Sequence, residues 1–329
     1  MKKATVILIT IFIISTLCSA ANAITEEGTF FEYYEYIPET DTELRKMLNI
    51  SEMSSQVYQE RVEIDASGNI ETKWTPDFAG SDGYTASSRA SGISLLASTT
   101  DPDDYETVNT TTARPFRYLG VIRFYRTFTE NGDPDWHRGS AFLERPNVLV
   151  TAAHCCYNDK EGWTRDLYYY PARDGTVDKY TQAQRYSITV PSAWRSDGNN
   201  DYDWAIVSLK TAPGNTTGYF GKKWTSGGYV GTSVTMTGYP KTTDSTYGNY
   251  IMYTSPGTVL SNTNFKLYST YNACGGASGA PIYINQNRSY IAIGVHTGRS
   301  GELALGTRIT EYFYNLLQEK LDEYLDSQA

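Results

Sequence analysis

The chain has 329 residues and a formal net charge of −9 at pH 7, and 28 of its residues are tyrosine. This length allows one large or two medium domains with a sizeable core. The acidic balance argues against a nucleic-acid partner, because binding to phosphates needs basic patches. Tyr, Thr, Ser and Gly dominate the middle of the chain, which favours short strands joined by polar turns over a helical bundle.

The first 23 residues have the pattern of a secretory signal peptide. Lys2 and Lys3 precede an apolar run from Ala4 to Leu17, and small residues at Ala21 and Ala23 predict cleavage after Ala23. A membrane anchor is the alternative, but the apolar run is shorter than the ~20 residues that a spanning helix needs. We therefore expect a secreted protein that has no membrane association after the signal is removed.

Residues 24–92 differ in composition from the rest of the chain. The run "VEIDASGNIETKW" predicts a hairpin around Ser67-Gly68, within a segment that is acidic and aromatic. A stretch rich in Gly, Ser, Thr and Asp follows from Thr75 to Glu106, and it predicts an exposed linker of the kind that proteases cut. We predict a propeptide and linker over residues 24–92 and one large domain over residues 93–329. A stable two-domain protein with a flexible hinge is the alternative.

Strand-like runs recur from Arg114 onward. Many of them alternate or are β-branched and aromatic, and no strand alternates with a long helical pattern. The runs are "YLGVIRFYR", "NVLVTAA", "YSITV", "DWAIVSL", "SVTMTGY", "YIMYTSPGTVL", "FKLYST", "APIYIN" and "YIAIGVHTG". The exception is the C-terminus, where apolar residues fall at helical spacing: Phe313, Leu316, Leu317, Leu321, Tyr324 and Leu325. The pattern predicts an all-β domain that ends in one amphipathic helix packed on a barrel surface.

Three short motifs carry residues suited to nucleophilic catalysis. A serine hydroxyl needs a neighbouring base, and that base needs an orienting acid. His154 follows an apolar run in "VLVTAAH", Asp203 begins "DWAIVSL", and Ser278 lies in "GGASGAP". The backbone N–H groups of Gly276 and Ser278 are candidates for an oxyanion hole. Asp201 competes with Asp203 for the role of the acid.

Other kinds of site fit the sequence less well. The α/β-hydrolase elbow needs G-x-S-x-G, but Ala280 stands at the last position. The three histidines are scattered and no C-x-x-C or H-x-x-x-H pair occurs, so we expect neither a zinc site nor a cofactor. Removal of the signal leaves Cys155, Cys156 and Cys274, an odd number that argues against a disulfide framework.

These motifs resemble those of a known family. "TAAHC", "DWAIV" and "GGASGAP" are similar to the His, Asp and Ser motifs of chymotrypsin-fold serine proteases. The closer resemblance is to the bacterial glutamyl endopeptidases, and it runs in collinear order from about Val108 to Ile309. The segments that carry it are "NTTTARPFR", "VPSAWRSDGNNDYDWAIVSL", "GNTTGYFGKKW", "VGTSVTMTGYP", "GVHTG" and "GTRIT".

The resemblance implies an all-β fold of two six-stranded antiparallel β-barrels, with the site in the cleft between them. It implies a secreted serine endopeptidase, made as a zymogen, that cleaves protein or peptide substrates after Glu and then Asp through an acyl-enzyme. His154 would be the general base, Asp203 its orienting acid and Ser278 the nucleophile. We expect a monomer whose one further partner is its own propeptide.

The resemblance also implies a substrate pocket. His296 in "GVHTG" would line the S1 pocket and meet the acidic side chain of the substrate, and Thr297-Gly298 would pair with the substrate backbone. Ala273 lies in the pocket wall at a position where this branch has a hydroxyl residue. One donor is therefore missing, and Arg299 is a candidate to compensate.

Two further positions depart from relatives of the same fold. Ala277 precedes the serine where the trypsin subgroup has Asp, so trypsin-type activation through that Asp is excluded. Gly139 stands where many relatives have a cysteine that pairs with the one at Cys155. By alignment, the mature N-terminus should fall between Ala90 and Ser94, where its freed amino group would assist the pocket.

Three alternatives stay open at this point. The first is the same protease with a relaxed or different P1 preference, because of Ala273. The second is a non-catalytic secreted binding protein of the same fold, although all three triad residues are present. The third is a cell-envelope adhesin, which accounts for the signal and the strands but not for the His-Asp-Ser order.

Overall fold

A computed structural model describes residues 30–49, 58–64, 70–76, 105–242, 249–286 and 289–328. The predicted signal peptide, most of the predicted linker and the expected mature N-terminus lie outside these residues. The turn at Ser67-Gly68 also lies outside them. In the described part of the chain, no helix is both long enough and apolar enough to cross a membrane.

Two β-hairpins precede the barrels. β1 (Phe30–Ile37) pairs antiparallel with β2 (Thr42–Asn49), and β3 (Tyr58–Ile64) pairs antiparallel with β4 (Ile70–Pro76). The second pairing confirms the hairpin that the sequence predicts at this place. A short strand, β5 (Glu106–Thr107), follows and joins the second barrel.

Six antiparallel strands close the first barrel: β6 (Leu119–Tyr125), β7 (His137–Leu143), β8 (Val148–Thr151), β11 (Asp166–Pro171), β12 (Ala183–Pro191) and β13 (Ala205–Leu209). Their order is β11-β6-β7-β8-β13-β12, and β12 pairs back onto β11. Alternate residues face inward, as Leu167 and Tyr169 do on β11. Between β8 and β11, β9 (Tyr157–Asn158) and β10 (Gly162–Trp163) form a small separate hairpin.

Six further antiparallel strands close the second barrel: β15 (Ser233–Gly238), β16 (Tyr253–Asn262), β17 (Lys266–Ser269), β18 (Pro281–Gln286), β19 (Ser289–Ser300) and β20 (Leu303–Arg308). Their order is β19-β18-β15-β16-β17-β20, and β20 pairs back onto β19. β14 (Gly221–Lys222) adds to the edge of β19, and β5 adds to β16. The expected pair of six-stranded antiparallel barrels is therefore confirmed.

Three helices complete the described fold. α1 (Ser192–Asp197) follows β12, α2 (Gly214–Thr217) follows β13, and α3 (Glu311–Gln328) is the C-terminal helix that the sequence predicts. Phe313 of α3 stacks on Trp204 of the first barrel, with ring centroids 4.0 Å apart. Leu316 and Leu317 are fully buried in the same cluster. The side chains of Leu321, Tyr324 and Leu325 lie outside the description.

Candidate active site

Two neighbouring strands of the first barrel bring His154 and Asp203 together. His154 lies in a single 3-10 turn directly after β8, and Asp203 lies just before β13. β8 and β13 pair with Thr151 opposite Ala205, so the end of one strand lies beside the start of the other. His154 Nδ1 lies 2.8 Å from Asp203 Oδ2, and the His154 backbone N–H donates to Asp203 Oδ1 over 2.9 Å. Both carboxylate oxygens of Asp203 are therefore hydrogen-bonded to the same histidine.

This geometry separates the two candidate acids. Asp203 is buried, whereas Asp201 is partly exposed. Asp201 lies inside the 3-10 turn Asn200–Tyr202, and its backbone N–H donates to the side chain of Asn199, which caps that turn. Burial by itself would lower the pKa of His154, but the Asp203 carboxylate outweighs burial and holds this pKa well above its usual value. A carboxylate in this place fixes the imidazole ring and stabilises its protonated form.

The segment before Ser278 is a tight turn. The Ala277 N–H donates to the carbonyl of Cys274 over 3.1 Å, and Gly276 has φ = +94°, as the third residue of a type II turn requires. The Gly275 carbonyl accepts from the backbone N–H of Lys241 over 2.6 Å. A trans peptide points its C=O and N–H in opposite directions. The Gly276 N–H therefore points away from Lys241.

Ser278 is anchored to both barrels. Its carbonyl accepts from the Ser140 N–H of β7 over 2.8 Å, and the next N–H, that of Gly279, donates to the His296 carbonyl of β19 over 2.8 Å. Gly279 has φ = +88°, and a Cβ there would lie 2.1 Å from both the Ser140 carbonyl and Thr151 Oγ1. Only glycine allows this approach, which brings Ser278 against the strand end that precedes His154. Within the described residues, Ser278 Oγ makes no hydrogen bond.

The second barrel contributes a buried histidine, His296, whose pKa is shifted in the direction opposite to that of His154. His296 is 2 % exposed, and its Nδ1 lies 3.1 Å from the hydroxyl of Tyr271. Burial lowers the pKa of His296 to about 3, with the nearby His154 and Arg299 acting in the same direction. His296 is therefore neutral at physiological pH.

The other predicted pocket residues lie around His296. Ala273 is buried, and its carbonyl accepts from Arg299 Nη1 over 3.3 Å. On one edge of β19, the pairing with β18 ends at Val295. On the other edge, β20 pairs with β19 as far as Ser300, with a bulge between His296 and Gly298. Among the strands that the structure describes, none pairs with the other edge of Thr297-Gly298.

Two residues near the site were not predicted from the sequence. Ser140 Oγ donates to the Gly276 carbonyl over 2.9 Å and accepts from the Tyr239 N–H over 2.8 Å, so it braces the turn before Ser278. Arg126 donates to the His154 carbonyl over 2.5 Å. The only sequence signal for Ser140 is a small polar residue inside "GSAFL"; for Arg126 there is none, because its partner lies 28 residues away.

A third such residue is Lys266 of β17, which is buried. Its ammonium donates to Thr307 Oγ1 over 2.8 Å. Burial lowers the pKa of Lys266, while Asp203 and Asp201 oppose that shift. The two carboxylates therefore favour the charged form of this buried lysine.

The described cysteines form no disulfide bond. Cys155, Cys156 and Cys274 are free thiols. A Cβ at Gly139 would lie 3.1 Å from Cys155 Sγ, so Gly139 does stand opposite the thiol that lacks a partner. Across the described ranges, no group of three or more His, Cys, Asp or Glu side chains could hold a metal ion.

Two closed β-barrels, with a His–Asp pair from one and a serine turn from the other, define a chymotrypsin-fold serine protease. The family model described as Trypsin matches residues 122–314. The chain belongs to this family of serine proteases.

The relatives are bacterial. The chain is 33% identical over 229 residues to a glutamyl endopeptidase of Bacillus licheniformis, and 31% identical over 223 residues to an extracellular metalloprotease of Bacillus subtilis. Each alignment covers 66% of this chain and 67% of the relative. A solved structure described as a Glu endopeptidase in complex with MPD matches with a TM-score of 0.57 and 24% identity, over 66% of this chain and 96% of that one. This last match concerns the fold alone.

The names of the two relatives differ in the class of protease. The described residues of this chain bring together a histidine, a carboxylate and a serine turn. The geometry therefore agrees with the family model, and the chain is related to the glutamyl endopeptidases.

Proposed function

We propose that this protein is a secreted serine endopeptidase, made as a zymogen, that cleaves peptide bonds after Glu and then after Asp. The observation that carries the proposal is the pair of hydrogen bonds that the Asp203 carboxylate accepts from His154, beside the anchored turn of Ser278. A protease of the same family with another P1 preference is the alternative, because Ala273 brings no hydroxyl to the pocket wall.

The chemistry follows from the roles of three side chains. Ser278 Oγ attacks the carbonyl carbon of the scissile bond, and His154 Nε2 takes the hydroxyl proton. Asp203 keeps the ring oriented and offsets its positive charge. His154 then passes the proton to the leaving amine, and the acyl-enzyme is hydrolysed by water that His154 activates in the same way. The hydrogen bond from Ser278 Oγ to His154 Nε2 is expected to form when substrate excludes water from the cleft.

The oxyanion of the tetrahedral intermediate needs two N–H donors. The Gly275 carbonyl is held by Lys241, which leaves the Gly276 N–H pointing the other way, and Ser278 supplies the second N–H. In the described residues neither N–H has a partner within the protein, so both are available to the oxyanion. Donors of this kind contribute about 10²–10³ each in kcat.

The preference for acidic side chains rests on His296. A neutral imidazole carries one ring proton, and a Tyr271 hydroxyl that donates to Nδ1 places that proton on Nε2. Nε2 then donates to a substrate carboxylate, whose negative charge also raises the pKa of His296 and favours its protonation. Arg299, bound to the carbonyl of Ala273, adds a positive charge beside the same wall.

The zymogen proposal rests on the sequence. Residues 1–23 have the features of a signal peptide, and a linker suited to proteolysis precedes the family match. Ala277 cannot form the ion pair of trypsin-type activation, so we expect the amino group freed between Ala90 and Ser94 to complete the acidic pocket instead. The expected substrates are proteins or peptides, and the expected state is a monomer.

Purified mature protein tests the specificity with matched peptides that carry Glu, Asp, Gln, Lys or Phe at P1. We expect the highest kcat/KM for Glu, a lower one for Asp, and little cleavage of the Gln isostere. Cleavage confined to Lys or Phe would remove the proposed specificity but leave the family assignment intact.

Two controls complete the test. Ser278→Ala should abolish turnover, with the circular dichroism spectrum and Tm retained, whereas unchanged turnover would exclude the serine mechanism. N-terminal sequencing of secreted protein should find a start between Ala90 and Ser94. A start at Ile24 would exclude the zymogen.

A further inference from the structure

The N-terminal hairpin, β1–β2, is built into the first barrel. β1 adds to the edge of β12 in an antiparallel register, with Tyr33 opposite Pro191 and Tyr36 opposite Ile188. β12 reaches this position after its first residues have closed the barrel against β11. β1 therefore covers an edge of the barrel sheet that would otherwise present unpaired backbone groups.

Aromatic packing joins the hairpin to the element that carries Asp203. Phe31 is buried and stacks on Tyr312 of α3 at 5.3 Å and on Trp204 at 6.0 Å between ring centroids. Trp204 is the residue after Asp203, and Phe31 also stacks on Tyr202, the residue before it. The hairpin thus packs on both neighbours of the catalytic acid.

A buried charge joins the hairpin to the C-terminal helix. Glu35 is buried, and its carboxylate accepts from Lys320 Nζ over 3.0 Å and from Ser187 Oγ over 2.8 Å. Lys320 is itself almost fully buried, and Tyr33 donates to Glu319 of the same helix. Burial by itself would raise the pKa of Glu35, but Lys320, Lys46 and Ser187 lower it to about 2. Without Glu35, Lys320 would keep, among the described residues, only the more exposed Glu323 carboxylate, 2.8 Å away, as an ion partner, and weakening a buried pair in this way is costly.

The far end of the hairpin is held by a third set of contacts. Glu39 pairs with Arg185 at 2.7 Å and Lys210 at 2.8 Å, and Glu43 pairs with Arg195 at 3.0 Å. Tyr36 stacks on Trp163 at 5.0 Å. The hairpin is therefore fixed to β12, to α3 and to the loops beside them, none of which belongs to the linker.

We propose that residues 30–49 stay bound to the protease domain after the linker is cut, so that the mature enzyme is a noncovalent two-chain protein. This inference rests on the proposed maturation cleavage. The retained hairpin supports the segment Tyr202–Trp204 and acts as a positioning element for Asp203. A propeptide that is discarded on activation would instead expose the edge of β12 and the ring of Trp204.

The test uses the full chain with Ser278→Ala and a recognition sequence for a site-specific protease inserted between Arg89 and Ala90. After cleavage, native size-exclusion chromatography with mass spectrometry of the peak should find both fragments together, and guanidinium chloride should separate them. Release of the N-terminal fragment from a protease domain with unchanged Tm would overturn the proposal.

Matched variants locate the interface. Phe31→Ala with Glu35→Ala should weaken retention of the cut fragment by about 100-fold or more in Kd, because one buried aromatic ring alone accounts for such a factor. Met47→Ala, at a position on the same hairpin that is 67 % exposed, should leave Kd unchanged. Equal retention of both variants would contradict the assigned contacts.

The outcome is independent of activity, because an added protease cuts an inactive variant. Co-elution of the fragments of the Ser278→Ala variant, together with a matured parent protein that cleaves no peptide, would uphold retention and remove the proposed function. Peptide cleavage by a protease domain that has released its hairpin would do the reverse.

Discussion

The two histidines beside the serine turn lie on opposite barrels and in opposite electrostatic surroundings. His154 is 34 % exposed and is bound by a carboxylate that raises its pKa. His296 is 2 % exposed, faces a neutral hydroxyl, and has its pKa lowered by burial to about 3. The same side chain therefore favours its protonated form in one barrel and its neutral form in the other.

The difference follows from the strands that hold them. The end of β8 lies beside the start of β13, which places the Asp203 carboxylate within reach of His154. β19 instead continues through His296, whose backbone is hydrogen-bonded to Gly279 and Ala280. The His296 ring is therefore enclosed by the barrel. The distinction is therefore set by topology, and four substitutions test it.

Asp203→Asn should have the largest effect on His154. We expect kcat to fall by about 10⁴, because an amide no longer fixes the reactive tautomer or offsets its charge. His154 must be neutral to act as a base, so activity in the parent protein should fall as pH drops through its raised pKa. The variant should move this acidic limb to lower pH. Asp201→Asn is the control, and an equal loss there would contradict the choice between the two acids.

His296→Phe should act on specificity. Loss of a donor to a charged group costs about 1.5–3 kcal/mol, which corresponds to a fall of about 10–200-fold in kcat/KM for the Glu peptide. The Phe and Lys peptides should lose far less. His137→Phe, at the exposed third histidine, is the control. A uniform loss across all peptides would mean that His296 only supports the fold.

Ser140→Ala should act on stability. The Gly276 carbonyl and the Tyr239 N–H would both lose a buried partner, so the free energy of unfolding should fall by about 1–3 kcal/mol in denaturant titrations. Ser233→Ala, on the exposed end of β15, should change it little. Full stability of the Ser140→Ala variant would show that the turn before Ser278 does not depend on the Ser140 hydroxyl.

Tyr271→Phe should have the smallest effect. It removes only the hydroxyl at Nδ1 of His296, a hydrogen bond worth about 0.5–1.5 kcal/mol. We expect a rise in KM of a few-fold for the Glu peptide with kcat retained, and no change for Tyr186→Phe on the exposed face of β12. A fall in kcat alone would place Tyr271 in the chemical step rather than in the pocket.

The main outline of the fold was predictable because its signals are local. β8, β13 and β19 are runs of apolar and β-branched residues, and α3 repeats at helical spacing. Three strands of the barrels were missed: β7, β11 and β20. "HRGSAFL", "DLYYYP" and "LALGTR" mix small or charged residues with the apolar ones, so their alternation is weak.

The hairpin β1–β2 was missed for a nonlocal reason. "FFEYYEYI" does alternate, with Phe31 and Tyr33 buried, but Glu35 falls on the buried face and gives the run the appearance of a solvated acidic segment. Its partner Lys320 lies 285 residues away. The same limit applies to the site: His154, Asp203 and Ser278 stand in recognisable motifs, whereas Ser140 and Arg126 reach the site only through contacts made across the fold.

The hydrogen bond from Lys241 to the Gly275 carbonyl has a consequence for how a precursor of such an enzyme would be kept inactive. The turn before Ser278 already aims the Gly276 N–H away from Lys241 in a chain that still carries residues 30–49. Maturation would therefore have no need to reshape the catalytic machinery, as it does where an Asp before the serine captures a new terminus. It would act on substrate binding instead. The precursor would already have its oxyanion donors in place, but its pocket could not yet bind an acidic side chain.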